Sequence, residues 1–136
     1  MLYVSSASNA SASHPTVFFT ATDSANDQPV LRVTQAGTAV AIESNGNIDL
    51  AQNGNKILIT EGTNASMGTA VLVAGTVTVS NTLVTANSRI FLTINTAGGT
   101  PGAVYISART AGTDFTITST SGTDTSTVAW LIIEPS

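Results

Sequence analysis

Residues 89–119, RIFLTINTAGGTPGAVYISARTAGTDFTITS, decide the fold class. Ile90, Leu92 and Ile94 alternate with Phe91 and Thr93. Val104 and Ile106 alternate with Tyr105 and Ser107, and Phe115 and Ile117 with Thr116 and Thr118. A period of two places successive side chains on opposite faces of a strand, so each segment reads as a strand with one face turned inward. The breaks between them, AGGTPG at 97–102 and AGT at 111–113, are turn chemistry.

The same rhythm extends in both directions. On the C-terminal side, Ser121-Gly122-Thr123-Asp124 precedes a strand expected over Thr127–Glu134. On the N-terminal side, strands are expected over Thr69–Ala74, Thr76–Val79 and Thr82–Thr85. About seven strands in about 70 residues suggest a small sandwich or jelly roll. Further upstream, shorter strands are expected at Thr16–Ala21, Val30–Thr34, Ala39–Glu43, Asn47–Leu50 and Lys56–Thr60. Asn45-Gly46 and Asn53-Gly54 separate three of them, and Asn-Gly suits a type I′ turn because both central positions need positive φ. No run has a convincing 3.6-residue period, and β-branched residues dominate. The chain is therefore expected to be all-β.

Gly, Asn and Ser cluster over 61–68, which divides the chain into 1–62 and 63–136. The first part has small aliphatics and short strands, too little for an independent core. It reads as an N-terminal arm and a short intertwined β stem, built when three copies share one axis. The second part reads as a jelly-roll-like β-sandwich that could fold alone, with Trp130 as a core or inter-subunit anchor. Homotrimer formation is expected on a second ground. Charged residues make up only 9% of the chain, against about 25% in an ordinary soluble domain, so much of its surface is expected to be covered by other copies.

Composition also bounds function. The net charge is −4 with four cations, Arg32, Lys56, Arg89 and Arg109, which argues against nucleic acid. No apolar run approaches the roughly 20 residues of a membrane span, and no secretory leader is expected at the first residues. There is no Cys and a single His, His14. No G-x-S-x-G elbow accompanies it. The eight carboxylates are scattered, and aromatic platforms for sugar are scarce at 5%, so neither a triad nor a glycosidase pair is expected. Asp23–Asp27 and Asn45–Asp49 lack EF-hand spacing, and the glycines over 62–68 are not followed by Lys-Ser or Lys-Thr. The expectation is a non-enzymatic protein with no cofactor and no metal.

Two stretches carry a resemblance. Residues 29–50, PVLRVTQAGTAVAIESNGNIDL, resemble stem segments of phage fibre proteins. Residues 68–135 resemble a C-terminal module of phage structural proteins, through LVAGTVTV at 72–79, TANSRI at 85–90, SARTAGT at 107–113 and VAWLIIEP at 128–135. The resemblance implies a trimerising knob of the kind carried by bacteriophage fibres and capsid decoration (cement) proteins. A short chain with such a knob looks like a head decoration protein, which would tie neighbouring copies of the phage major capsid protein together on the outer surface of the capsid. Leu2, Tyr3, Val4, Phe18 and Phe19 would then dock on the capsid. Val30, Leu31, Ile42, Ile57, Ile59 and Trp130 would line the trimer interface, where Arg89 or Arg109 would pair with Glu134 across the subunit boundary. The alternative is a tail or head fibre acting as an adhesin for a host surface polysaccharide or receptor. It would use the loops 97–102 and 119–125, with Tyr105 as the candidate sugar platform.

Overall fold

The computed structural model describes residues 53–135 continuously and, upstream of them, 31, 33, 36, 42, 44 and 47–51. The chain divides into two compact units, Met1–Ala51 and Gln52–Ser136. Among the described residues there is no helix, and six strands carry the second unit. They are β1 (Met67–Val71), β2 (Thr76–Ser80), β3 (Arg89–Thr96), β4 (Val104–Thr110), β5 (Asp114–Ser119) and β6 (Thr127–Ile133).

The strands form two three-stranded antiparallel sheets that face each other as a sandwich. Sheet A has the order β1-β6-β3 and sheet B the order β2-β5-β4. The last two strands in sequence are thus central in space. Their burial alternates residue by residue, because each has a neighbour on both sides and a sheet across one face. Phe115 and Ile117 of β5 meet Val128, Trp130 and Ile132 of β6, with Leu72 and Val84 closing the core. The rings of Phe115 and Trp130 lie edge to face, with centroids 5.4 Å apart at 78°. A Cβ at position 68 would lie 2.6 Å from Trp130 Cζ2, so the indole lies against a glycine that no other residue could replace without moving the ring.

The alternation expected over 89–119 is observed except at Ile94, which is exposed where the register of β3 against β6 shifts. Ile90 and Leu92 pack against the core, while Phe91 points outward and is 58% exposed. The outer faces differ. Sheet B carries hydroxyls that bond across strands, Thr78 to Thr116 at 3.1 Å and Ser107 to Thr118 at 2.6 Å. Sheet A carries Met67, Leu131 and Phe91 in one cross-strand row.

Several expected strands differ from those observed. Thr82–Thr85 is a turn: Asn81 Oδ1 accepts from the Leu83 amide at 2.9 Å, and Ser88 Oγ from the Thr85 amide at 2.8 Å. These side chains satisfy backbone donors that a strand would have paired with a neighbour. The strand expected over Thr69–Ala74 begins and ends earlier. Ala74 and Gly75 have φ of 51° and 79° and form a two-residue turn, with reciprocal Val73–Thr76 backbone bonds of 2.9 and 3.2 Å. Residues 47–50 and 56–60 are not in strands, although Asn53-Gly54 does turn. The strands expected at Thr16–Ala21, Val30–Thr34 and Ala39–Glu43, and with them the intertwined stem, lie largely or wholly outside the described residues.

Candidate functional site

Each end of the sandwich gathers polar groups from several loops. At one end, the loops 72–75, 97–103 and 120–126 close on Asp124, which is fully buried. Its carboxylate accepts from Ser119 Oγ at 2.6 Å, from the Gly102 amide at 2.9 Å and from the Ser126 amide at 2.9 Å. Its backbone carbonyl accepts from the Gly75 amide at 2.9 Å. Donors from three separate loops therefore converge on one residue. Ser119, Ser126 and the Gly102 amide hold the Asp124 carboxyl far below the ordinary carboxylate range, against burial, which pushes it up. A carboxylate so saturated is a structural brace and a poor proton shuttle. The loops 97–102 and 119–125, which the adhesin alternative would use, lie together here. Backbone bonds join them, Thr125 N to Gly98 O at 3.0 Å and Thr100 N to Thr123 O at 3.4 Å.

At the opposite end, the turn 85–88 meets the end of β6. Glu134 accepts from Thr85 Oγ1 at 2.8 Å and from Ser88 Oγ. Arg89 Nη1 donates to Asn87 O at 2.7 Å, and Arg109 Nη1 donates to Ala86 O at 3.1 Å. Two guanidinium groups are thus tied to consecutive carbonyls of one turn. Glu134 is held below its ordinary value by the hydroxyls of Ser88 and Thr85 and, to a smaller extent, by the charges of Arg109 and Arg89. All three charged groups are solvent-exposed.

Arg109 reaches this turn through a defect in its strand. Between Ile106 and Ala108 the register of β4 against β5 shifts by one residue. Such a bulge reverses which face the following side chains take. Arg109 therefore stands opposite Phe115, an inward residue, and not on the outer face that simple alternation from Ile106 would assign. Two-residue periodicity misses this, because an inserted residue leaves no mark in composition.

The expected site residues fall into three groups. Leu2, Tyr3, Val4, Phe18, Phe19 and Val30 lie outside the described residues, as does His14. Leu31, Ile42 and Ile57 are exposed, and Ile59 is half-buried. Trp130 is buried in the core of its own chain, and Arg89, Arg109 and Glu134 of one chain already converge on the same turn. Among the described residues no group of His, Cys, Asp and Glu could hold a metal ion. Phe91 is a surface aromatic that the sequence reading passed over in favour of Tyr105, and it is the more exposed of the two, 58% against 48%. Its signal was present: it alternates with the core residues Ile90 and Leu92. Asp124, Ser119 and Ser126 were not singled out either, since their convergence depends on loops distant in sequence.

Residues 64–133, just over half of the chain, match the family model of the K1 capsule-specific polysaccharide lyase, C-terminal domain. No curated protein matches the chain. The matched span contains all six strands. The finding corrects the expectation of a capsid decoration, or cement, protein that ties capsid subunits together. The quoted phrases fall on strands and turns of the sandwich, and chain length carries no information about position on a particle. The alternative drawn from the same residues, a fibre or adhesin directed at host surface glycan, agrees better with the family.

Proposed function

The chain belongs to the family of the K1 capsule-specific polysaccharide lyase C-terminal domain, and on that premise we propose that it is a module of a phage tail protein that engages capsular polysaccharide on the host surface. The observation that carries this reading is the coincidence of the matched span with the sandwich, since the family resemblance covers all six strands.

Within this reading the module binds and does not cleave. Asp124, the most buried of the described carboxylates, is saturated by hydrogen bonds and held ionised. Its hydroxyl partner Ser119 is itself buried and donates to that carboxylate. The module works as a homotrimer, which supplies cover for a chain in which charged residues make up only 9%. Linking three copies makes the second and third glycan contacts intramolecular, so weak single contacts add up to firm retention.

The test is binding of the full chain to encapsulated bacteria and to capsule-deficient derivatives of the same strains. Retention on encapsulated cells alone is expected, with the capsular polymer left at its original length. Equal retention on both cell types overturns the binding reading. Shortening of the polymer by the chain alone overturns the non-catalytic part.

A further inference from the structure

We propose that Arg89 and Arg109, anchored on the turn 85–88, form a binding site for the carboxylate groups of an acidic polysaccharide. The inference rests on the polysaccharide-binding reading above and gives it a location and a ligand chemistry.

The chain has few cations to place, four against eight carboxylates. Among the described residues they are Lys56, Arg89 and Arg109, and the two arginines meet at one turn. They arrive from different sheets, Arg89 at the first position of β3 and Arg109 near the end of β4. Arg109 gets there because the bulge between Ile106 and Ala108 turns it to the inward side. A single-residue slip in an otherwise regular strand thus brings the second cation to the first.

The anchors orient these groups without neutralising them. Each guanidinium donates one N–H to a backbone carbonyl, which carries no net charge. A guanidinium has five N–H donors in a planar fork, so most remain available on each. Among the described residues the carboxylate beside them is Glu134, which already accepts hydrogen bonds from Thr85 and Ser88 and closes no ion pair to either arginine. Among the described residues, two positive charges thus face one negative charge, with donors left over. The planar fork fits a carboxylate through two parallel hydrogen bonds, a match that a lysine cannot make.

The neighbouring surface fits a sugar. Phe91 is two residues from Arg89 on the same outer face of sheet A, and Thr93 is two residues further. An exposed ring can take the apolar C–H face of a pyranose, a hydroxyl can bond its rim, and a guanidinium can hold its acid group. Cation, ring and hydroxyl lie in that order along one strand at the two-residue spacing of about 6.4–6.8 Å. That repeat is close to the width of one sugar ring.

The experiment uses the full chain with polygalacturonate and with the same polymer after reduction of its carboxyl groups. The wild type is expected to bind the native polymer, more weakly as salt rises, and to bind the reduced polymer poorly. The paired substitution Arg89→Gln and Arg109→Gln is expected to lower affinity for the native polymer about tenfold or more, because charge-assisted hydrogen bonds are removed. Arg89→Lys with Arg109→Lys is expected to recover only part of the loss. Unchanged sedimentation and thermal midpoint in the Gln pair would assign the loss to the site. Equal affinity of wild type and Gln pair overturns the proposal, as does a change in oligomeric mass, which would place the arginines at a subunit contact. Binding to encapsulated cells without binding to polygalacturonate, and without any effect of the Gln pair, overturns this inference and leaves the polysaccharide reading standing. Binding to neither cells nor polymer overturns both.

Discussion

The two ends of the sandwich each hold a carboxylate kept ionised by hydroxyl donors, yet they are built for different purposes. Asp124 is buried, meets no cation among the described residues and receives donors from three loops. Glu134 is exposed, accepts from two hydroxyls of a single turn and has two arginines nearby. Burial makes the first arrangement expensive to disturb. An ionised group without solvent must keep every partner, and each partner left behind becomes an unsatisfied donor. Exposure makes the second arrangement cheap to disturb and open to ligands, because water can replace what is removed. A brace needs the first property and a binding site needs the second.

The largest effect is expected at the buried end. Asp124→Ala strands the amides of Gly102 and Ser126 and the hydroxyl of Ser119, and frees the loops 97–103 and 120–126. The thermal midpoint is expected to fall by about 10 °C or more, since removing a buried, fully bonded group belongs to the severe class of substitutions and small domains shift by about 4–8 °C per kcal/mol. A fall no larger than that of Glu134→Gln would break the distinction between the ends.

Gly75→Val tests the same end through the backbone. Position 75 has φ of 79° in the turn that hands β1 of sheet A to β2 of sheet B, and its amide bonds to Asp124 O. A β-branched residue there is expected to cost more than about 2 kcal/mol by denaturant unfolding, because its Cβ would collide with Ser121 O in addition to the left-handed backbone penalty. A cost near zero would mean that the turn is not held in this conformation.

Acid distinguishes the two carboxylates more finely. Asp124 titrates lower in the folded protein than in the unfolded chain, so it contributes stability that is full above the unfolded value of about 4 and is lost as pH falls below it. Glu134 is depressed as well and contributes in the same direction. Asp124→Asn is expected to remove most of the acid-dependent part of the stability between about pH 4 and pH 2, and Glu134→Gln little of it. Equal flattening by both substitutions would make the ends equivalent. The smallest effect is that of Glu134→Gln at neutral pH. It should leave the midpoint within about 3 °C of the wild type, because Gln keeps an oxygen that can accept from Ser88 or Thr85 and only an exposed charge is lost.

Much of the fold was legible before any coordinates. The alternation at 89–93, 104–107 and 115–118 gave strands and the correct inward face, while Ile94, expected inward, is exposed. The expectation failed at 82–85, where β-branched residues favoured a strand but Asn81 and Ser88 had side chains able to take over the backbone bonds. The candidate site was legible only in part. Arg89, Arg109 and Glu134 stood out as charges in uncharged surroundings, but the turn that they share within one chain was not legible. Asp124 was counted among scattered carboxylates, because nothing local distinguishes it from the Asp of an ordinary Ser-Gly-Thr-Asp turn.

The opening stretch, 89–119, marks the division. By itself the sequence determined that these residues form strands and which side of each faces a core, since side-chain direction along a strand has a fixed period and burial selects apolar residues at that period. Only the tertiary structure decided that β5 and β6 are central, that three loops converge on Asp124 and that Arg109 turns inward to join Arg89. Those outcomes depend on which strands become neighbours and on a one-residue slip between them. Both are set by packing between segments far apart in the chain, a property that no single stretch of sequence contains.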